Sequence, residues 1–173
     1  MAMVRNIDYL IHYLAGREWN ERDIFMTSGG FDPVHVGHIR CIKETAKMAI
    51  SPDAYPRSRT GIVVVVVNAD SFLIRKKGYV FMPLRERMEI IDSIGGVDFV
   101  VPWETESDQT VVGAIELLKP KFFTKGGDRL DASTIPEWQI CQEVRCQIIT
   151  GVGGEKIQSS STLVEESRAH RKE

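Results

Sequence analysis

His35 and His38 stand three residues apart in the run Gly29-Gly30-Phe31-Asp32-Pro33-Val34-His35-Val36-Gly37-His38. At helical spacing, both fall on one face at the start of a helix. The unpaired N–H groups and positive dipole end of a helix N-terminus suit an anionic phosphate. Two imidazoles beside that phosphate can donate hydrogen bonds to oxygens whose charge grows during phosphoryl or nucleotidyl transfer. Gly37, between them, removes a side chain where a bulky ligand would approach closely. A lone histidine in such a place is ordinarily a satisfied structural residue. A pair on a glycine-rich turn points to chemistry instead.

The elements that must position this pair follow from the hydrophobic pattern. Residues 24–27 read as a short apolar strand that ends at Ser28-Gly29-Gly30, and residues 36–50 as a helix with Ile39, Ile42, Ala46 and Ala49 on one face. Upstream, Val4, Ile7, Leu10, Ile11 and Leu14 recur at helical spacing before Gly16, an amphipathic helix over 4–15. Its apolar face can pack on the chain's own sheet or on a second subunit. Residues 62–67 are all β-branched with no polar alternation, as in a central strand buried on both faces. Helices are then predicted over 84–94, 109–119 (with Asp108 as N-cap) and 136–146, and strands over 98–101, 121–124 and 147–150. A closing helix begins at about Ser160. Five strands separated by helices imply a doubly wound α/β domain with a parallel sheet, over 21–173, to which the helix within 1–20 is appended. The loose stretch 51–60, rich in Pro, Ser and Arg, is an insert.

In such sheets ligands bind outside the carboxyl ends of the strands. The unusual segments of this chain all follow strands: Ser28 to Asp32, Asn68-Ala69-Asp70, Lys125-Gly126-Gly127-Asp128 and residues 151–161. The glycines after Lys125 allow a close backbone approach, and Asp128 can accept hydrogen bonds from a ribose or base. Gly151-Val152-Gly153-Gly154 lacks the helix register and downstream acid of a dinucleotide fingerprint, and no Walker lysine-serine motif is present. His35 and His38 have no third ligand at metal spacing, so no protein-bound metal is expected.

Composition narrows the function classes. Over 173 residues, 43% are hydrophobic and 27% charged, an ordinary globular balance, and the formal charge is −2. That argues against a nucleic-acid or membrane-surface binder held by bulk positive charge. Apolar runs fall far short of the roughly 20 residues of a bilayer span. Asp8, His12 and Tyr13 interrupt any signal-peptide pattern. Three cysteines without a CxxC suggest neither a disulfide frame nor a zinc site. A soluble, cytoplasmic protein is expected.

The run from Gly29 to His38 resembles the HxGH signature of the nucleotidylyltransferase (cytidylyltransferase-like) superfamily, in its context of strand, Gly-Gly-Phe-Asp turn and helix. The resemblance covers roughly residues 23–165. Within it, Val66-Val67-Asn68-Ala69-Asp70-Ser71, Val97-Asp98 with Val100-Val101, and Lys125-Gly126-Gly127-Asp128 are most similar to the adenylyltransferase domain of bacterial ADP-heptose synthase. Glycerol-3-phosphate and phosphoethanolamine cytidylyltransferases look more distant. Those carry arginines where this chain has Gly95 or Gly96 and Lys156, which favours ATP over CTP.

The resemblance implies transfer of AMP from ATP to a sugar phosphate such as D-glycero-D-manno-heptose 1-phosphate, with release of pyrophosphate. Cytidylyl transfer to glycerol 3-phosphate or phosphoethanolamine, or nucleotide binding without catalysis, are the alternatives. It further implies that His35 and His38 hold the triphosphate and stabilise the transition state. Gly30, Phe31 and Asp32 would shape the turn that admits the nucleotide. Of Arg75, Lys76 and Lys77, Lys76 would reach the phosphates. Asp70, Lys77 and Arg87 would lie near the substrate. Lys125, Gly127 and Asp128, with Ser159, Ser160 and Ser161, would bind the nucleotide, the serines at its β- and γ-phosphates. Mg²⁺ would be held mainly through the triphosphate, and the relatives' habit suggests a homodimer.

Overall fold

Five consecutive valines, Val63 to Val67, lie at the centre of the molecule in a strand whose every residue is buried. The computed structural model describes residues 6–15, 22–50, 61–105, 110–127 and 131–169. In chain order its elements are α1 (Ile7–Ala15), β1 (Asp23–Gly29), α2 (Val36–Met48), β2 (Gly61–Asn68), α3 (Asp70–Lys77), α4 (Leu84–Asp92) and β3 (Phe99–Trp103). There follow α5 (Val112–Leu118), β4 (Phe122–Thr124), a 3-10 turn (Ala132–Thr134), α6 (Trp138–Glu143), β5 (Gln147–Ile149) and α7 (Ser160–Ala169).

The strands form one parallel sheet in the order β3-β2-β1-β4-β5. Alternate residues of β2 feed two cores. Ile62, Val64 and Val66 pack with Leu10 of α1, Ile115 of α5 and Ile140 of α6. Val63, Val65 and Val67 pack on the opposite face with Ile42 and Ala46 of α2 and Ile91 of α4. Each fully buried valine contributes about 1.5 kcal/mol or more, so β2 alone goes far to hold the two layers of helices on the sheet. Ile7, Leu10 and Leu14 of α1 are buried against this sheet, so its apolar face is already covered by its own chain.

Three elements differ from expectation. α3 was not anticipated, because Asp70-Ser71-Phe72-Leu73-Ile74-Arg75-Lys76-Lys77 buries only Leu73 and shows no helical apolar stripe; Gly78, with φ 80°, ends it in the left-handed region. α5 starts at Val112 with Val111 in the cap position, later than expected, and residue 108 lies outside the described residues. α6 is shorter than 136–146: Pro136 keeps Ile135 extended (φ −84°, ψ 131°), and Arg145, at φ 59°, stops the chain from continuing.

The strand order reverses between β1 and β4. Beyond their carboxyl ends lie the turn from Gly29 to His35 and the segment from Lys125 to Gly127, and the site is built in that crevice.

Candidate active site

His35 occupies the cap position of α2 in extended conformation (φ −140°, ψ 170°). The N–H of Gly37 donates to His35 Nδ1 at 3.2 Å, and the N–H of His35 donates to His38 Nδ1 at 3.3 Å. Because both Nδ1 atoms accept, each neutral ring carries its proton on Nε2. The rings stack with centroids 3.7 Å apart and planes 27° from parallel. Burial holds His35 below the ordinary histidine pKa. Burial, and then the charge of His35, pushes His38 down to about 3. Near neutral pH the pair therefore offers two uncharged Nε2–H donors at the start of a helix.

Gly37 lines the first of the cavities described below, and it also gives the capping ring its space. A Cβ there would stand 3.0 Å from His35 Cε1 and 3.1 Å from its Nδ1, so the glycine makes room for the histidine ring that caps the helix. Phe31, at φ 52°, turns its buried ring edge-on to His38 with centroids 5.0 Å apart. Beneath them, hydroxyls pin α2 to the β1–β4 seam. Thr27 Oγ1 donates to the Thr124 carbonyl at 3.0 Å, Thr45 Oγ1 donates to the Cys41 carbonyl at 2.9 Å, and the hydroxyls of Thr45 and Thr124 are 2.7 Å apart.

Two cavities meet at His38, and His35 lines the first of them. The first, about 310 Å³, runs from His35 and His38 past Lys125 and Gly127 to Ser159 and Ser160. Gly127 there has φ 82°, a left-handed conformation that glycine adopts freely. Ser159 caps α7, its Oγ accepting the N–H of Thr162 at 3.1 Å, and Ser160 Oγ donates to the Pro33 carbonyl at 2.9 Å. Asp128 lies outside the described residues. The second cavity, about 490 Å³, is walled by Asn68, Phe72, Lys76, Glu137 and Ser161, and shares Phe31, His38, Lys125 and Ser160 with the first. Lys76 is exposed, its Nζ 5.4 Å from the centre of the Phe72 ring. Lys125 stands where the compartments join, with Nζ 3.4 Å from Ser28 Oγ, 3.5 Å from Glu137 Oε1 and 4.6 Å from the centre of the Phe123 ring.

Asp32, Lys77, Asp70 and Arg87 are brought to the same turn but spend their polar groups on one another and on the backbone. Asp32 is 1% exposed; its carboxylate accepts from Lys77 Nζ (2.7 Å) and from the N–H groups of Phe81 (2.9 Å) and Met82 (2.6 Å). Burial pushes this carboxyl up, but the hydrogen bonds from Lys77, Phe81 and Met82 and the Lys77 charge outweigh it and leave the group below its ordinary range. Lys77 Nζ also donates to the Asp32 carbonyl at 2.7 Å. Arg87, expected at the substrate, is wholly buried. Its Nε donates to the Met82 carbonyl (2.9 Å), one terminal nitrogen donates to the carbonyls of Gly30 (2.6 Å) and Asn68 (2.8 Å), and the other donates to Asp70. A guanidinium so engaged ties the turn after β1 to the turn after β2 instead of projecting toward a ligand. Asp70 is held by the same contact, with its side chain 41% exposed.

Glu137 was not singled out by sequence, and Asn68 only as part of the turn after β2. Neither an asparagine ending a strand nor an acid after Pro136 advertises burial, yet both are more than nine-tenths buried beside the second cavity. Among the described residues no group of three or more His, Cys, Asp or Glu side chains is placed to hold a metal ion. No helix among them is long and apolar enough to cross a membrane.

Residues 26–166 match the model of the family described as cytidylyltransferase-like. The chain is 31% identical over 121 residues, 69% of its length, to the bifunctional protein HldE of Alkalilimnicola ehrlichii. It is 28% identical over 176 residues, 96% of its length, to HldE of Geotalea uraniireducens. It spans only 22% and 31% of the length of those two relatives. Among solved structures, a lipopolysaccharide core biosynthesis protein from Thermoplasma volcanium superposes with a TM-score of 0.55 at 22% identity, covering 74% of this chain and 94% of that one. Pantoate-beta-alanine ligase from Francisella tularensis, solved with beta-gamma ATP and beta-alanine, superposes with a TM-score of 0.61 at 14% identity, covering 92% of this chain and 68% of that one. At these identities the two structures speak to the fold.

Proposed function

The chain belongs to the cytidylyltransferase-like family, and from that premise we propose that it is a nucleotidyltransferase that moves AMP from ATP to a sugar phosphate of the heptose 1-phosphate type. The observation that carries this reading is the neutral, stacked His35–His38 pair, whose His38 stands at the junction of two cavities. A triphosphate lies in the first cavity with its α-phosphorus near the Nε2–H groups, and the acceptor lies in the second.

The acceptor's phosphate oxygen attacks the α-phosphorus in line. The bond from that phosphorus to the oxygen bridging to the β-phosphorus breaks, and pyrophosphate leaves with the electron pair. A phosphate monoester is already ionised near pH 7, so the step calls for positioning and charge stabilisation rather than a strong base. The Nε2–H donors of His35 and His38 stabilise the equatorial oxygens as charge builds. Lys125 bridges donor and acceptor, and Lys76, on the open rim, attracts the acceptor phosphate. Ser159, Ser160 and Ser161, with the first N–H groups of α7, take the β- and γ-phosphates. Asp32 and Asp70 are bound to Lys77 and Arg87, so among the described residues these two carboxylates form no metal cage; Mg²⁺ would be held mainly through the triphosphate and would supply charge neutralisation there.

The HldE relatives and the absence of arginines at Gly95, Gly96 and Lys156 favour ATP. Cytoplasmic placement belongs to the same proposal. So does a homodimer, which has to use a surface other than the buried face of α1. The test is thermal stability with Mg²⁺ and ATP, CTP, GTP or UTP, followed by pyrophosphate release with heptose 1-phosphate. Selective stabilisation by ATP and release that needs the acceptor are expected. Selective stabilisation by CTP overturns the adenylyl assignment, and nucleotide binding without release for any phosphorylated acceptor overturns transfer.

A further inference from the structure

Glu137 is 5% exposed and Asn68 is 8% exposed. Each has a buried side-chain oxygen, Glu137 Oε2 and Asn68 Oδ1, with no hydrogen-bond donor among the described residues. Leaving a buried acceptor unpaired costs about 1–3 kcal/mol, more for a charged group. Two such oxygens beside one cavity mark acceptors kept for a ligand's donors. Both residues wall the second cavity, which also holds Lys76 and Lys125.

The charge balance selects the donor. Lys125 Nζ lies 3.5 Å from Glu137 Oε1, so the carboxylate already has a cationic partner. A ligand ammonium at Oε2 would face Lys125 across one carboxylate, whereas an uncharged hydroxyl pairs there without repulsion. The terminal torsion of a glutamate is broad and two-fold, so either oxygen can turn to the cavity while the other keeps Lys125. Asn68 Oδ1 offers a second, uncharged acceptor suited to another hydroxyl.

Resting on the transfer reading above, we infer that Glu137 and Asn68 make the second cavity a polyol pocket: the acceptor is a phosphate ester with at least two free hydroxyls, not an amino-alcohol phosphate. Glu137 is then the residue that determines acceptor specificity. Lys76 holds the phosphate end and the two acceptor oxygens read the hydroxylated body.

The experiment uses the full chain and three acceptor groups: hexose and heptose 1-phosphates, their singly deoxygenated analogues, and phosphoethanolamine. Calorimetric binding with a non-transferable ATP analogue and Mg²⁺ is measured first, and pyrophosphate release second. For the wild-type protein, removing one hydroxyl from the preferred sugar phosphate is expected to weaken binding about tenfold or more. In E137M the affinity for the parent acceptor falls to that of the deoxy analogue, and nucleotide affinity holds or tightens. Preference for phosphoethanolamine, or no binding by any hydroxylated phosphate, overturns the inference. So does a nucleotide affinity that falls in E137M as far as acceptor affinity, which would make Glu137 a positioning residue for Lys125. Acceptor binding without pyrophosphate release would instead sink the transfer reading and leave the pocket assignment standing. The deoxy comparison needs no variant, so it decides the matter even if E137M fails to fold.

Discussion

The backbone N–H of His35 donates to the ring of His38, and the ring of His35 in turn accepts the N–H of Gly37. The two side chains that would do the chemistry are thereby also the cap of their own helix. Helix capping normally falls to Ser, Thr, Asp or Asn. Here it fixes the tautomer, because each Nδ1 is used internally and each Nε2–H is left for the cavity.

Replacing His38 by alanine removes both duties at once. Turnover is expected to fall by about two decades or more, the scale of losing one oriented donor to a developing oxyanion. Circular dichroism should remain that of the folded protein. Activity within threefold of wild type would remove His38 from the mechanism.

Gly37→Ala tests the ring's need for space. An alanine Cβ lies 3.0 Å from His35 Cε1, so the imidazole must shift. Alanine is about 1 kcal/mol better than glycine in a helix, so stability should hold or rise while kcat drops at least tenfold. Unchanged kcat in a folded variant would show that the position of His35 is not critical.

Arg87→Ala removes a buried cation that binds three carbonyls and Asp70. Breaking such a buried cluster costs about 3–5 kcal/mol, so the urea midpoint should fall steeply. Arg87→Lys should recover little, since an ammonium cannot reproduce the fork geometry. A loss below 1 kcal/mol in Arg87→Ala would mean that the guanidinium does not hold the two turns together.

Acid should weaken the fold through His38. Above pH 6.5 the ring is neutral in both states. Below it the unfolded chain binds a proton that the folded chain refuses until about pH 3, so stability falls as pH drops through that window. The slope approaches 1.4 kcal/mol per pH unit for a fully resistant histidine. Urea unfolding at pH 7 and pH 5 should therefore show a smaller difference in His38→Asn than in wild type. Asp32, whose folded pKa is lowered, adds its own loss only below its unfolded value of 3.8, outside this comparison. Equal pH dependence in the two proteins would contradict a neutral, buried His38.

The sheet was legible in the sequence because its signals are dense: a β-branched run for β2, and glycines or asparagine where strands deliver ligand-facing turns. α3 was hidden because it presents one leucine to the core and covers the rest of its surface with charge. The site was legible by residue type but not by partner. Asp32, Lys77 and Arg87 belong to the segments expected to surround a substrate, yet a carboxylate that will meet two N–H groups and a lysine 45 positions on looks like any other acid in a turn. Glu137 was missed for the opposite reason. Acids are seldom buried, and only the packing of Lys125 across the crevice shows why this one is.

The hydroxyl chain of Thr27, Thr45 and Thr124 bears on how the site breathes. By tying α2 to β4 and β4 to β1, it makes the crevice a fixed jaw: spreading β1 from β4 would break the buried hydrogen bonds that Thr27 donates to the Thr124 carbonyl and Thr124 to the Met26 carbonyl. The opposing jaw is the arch from Gly151 to Ser159, anchored where Gly153 lies so close to α2 that a Cβ there would come within 2.6 Å of the Cys41 nitrogen, and exposed from Gly154 to Ile157. The histidines of the proposed reaction thus sit on the fixed jaw, and the exposed span from Gly154 to Ile157 lines the first cavity with them.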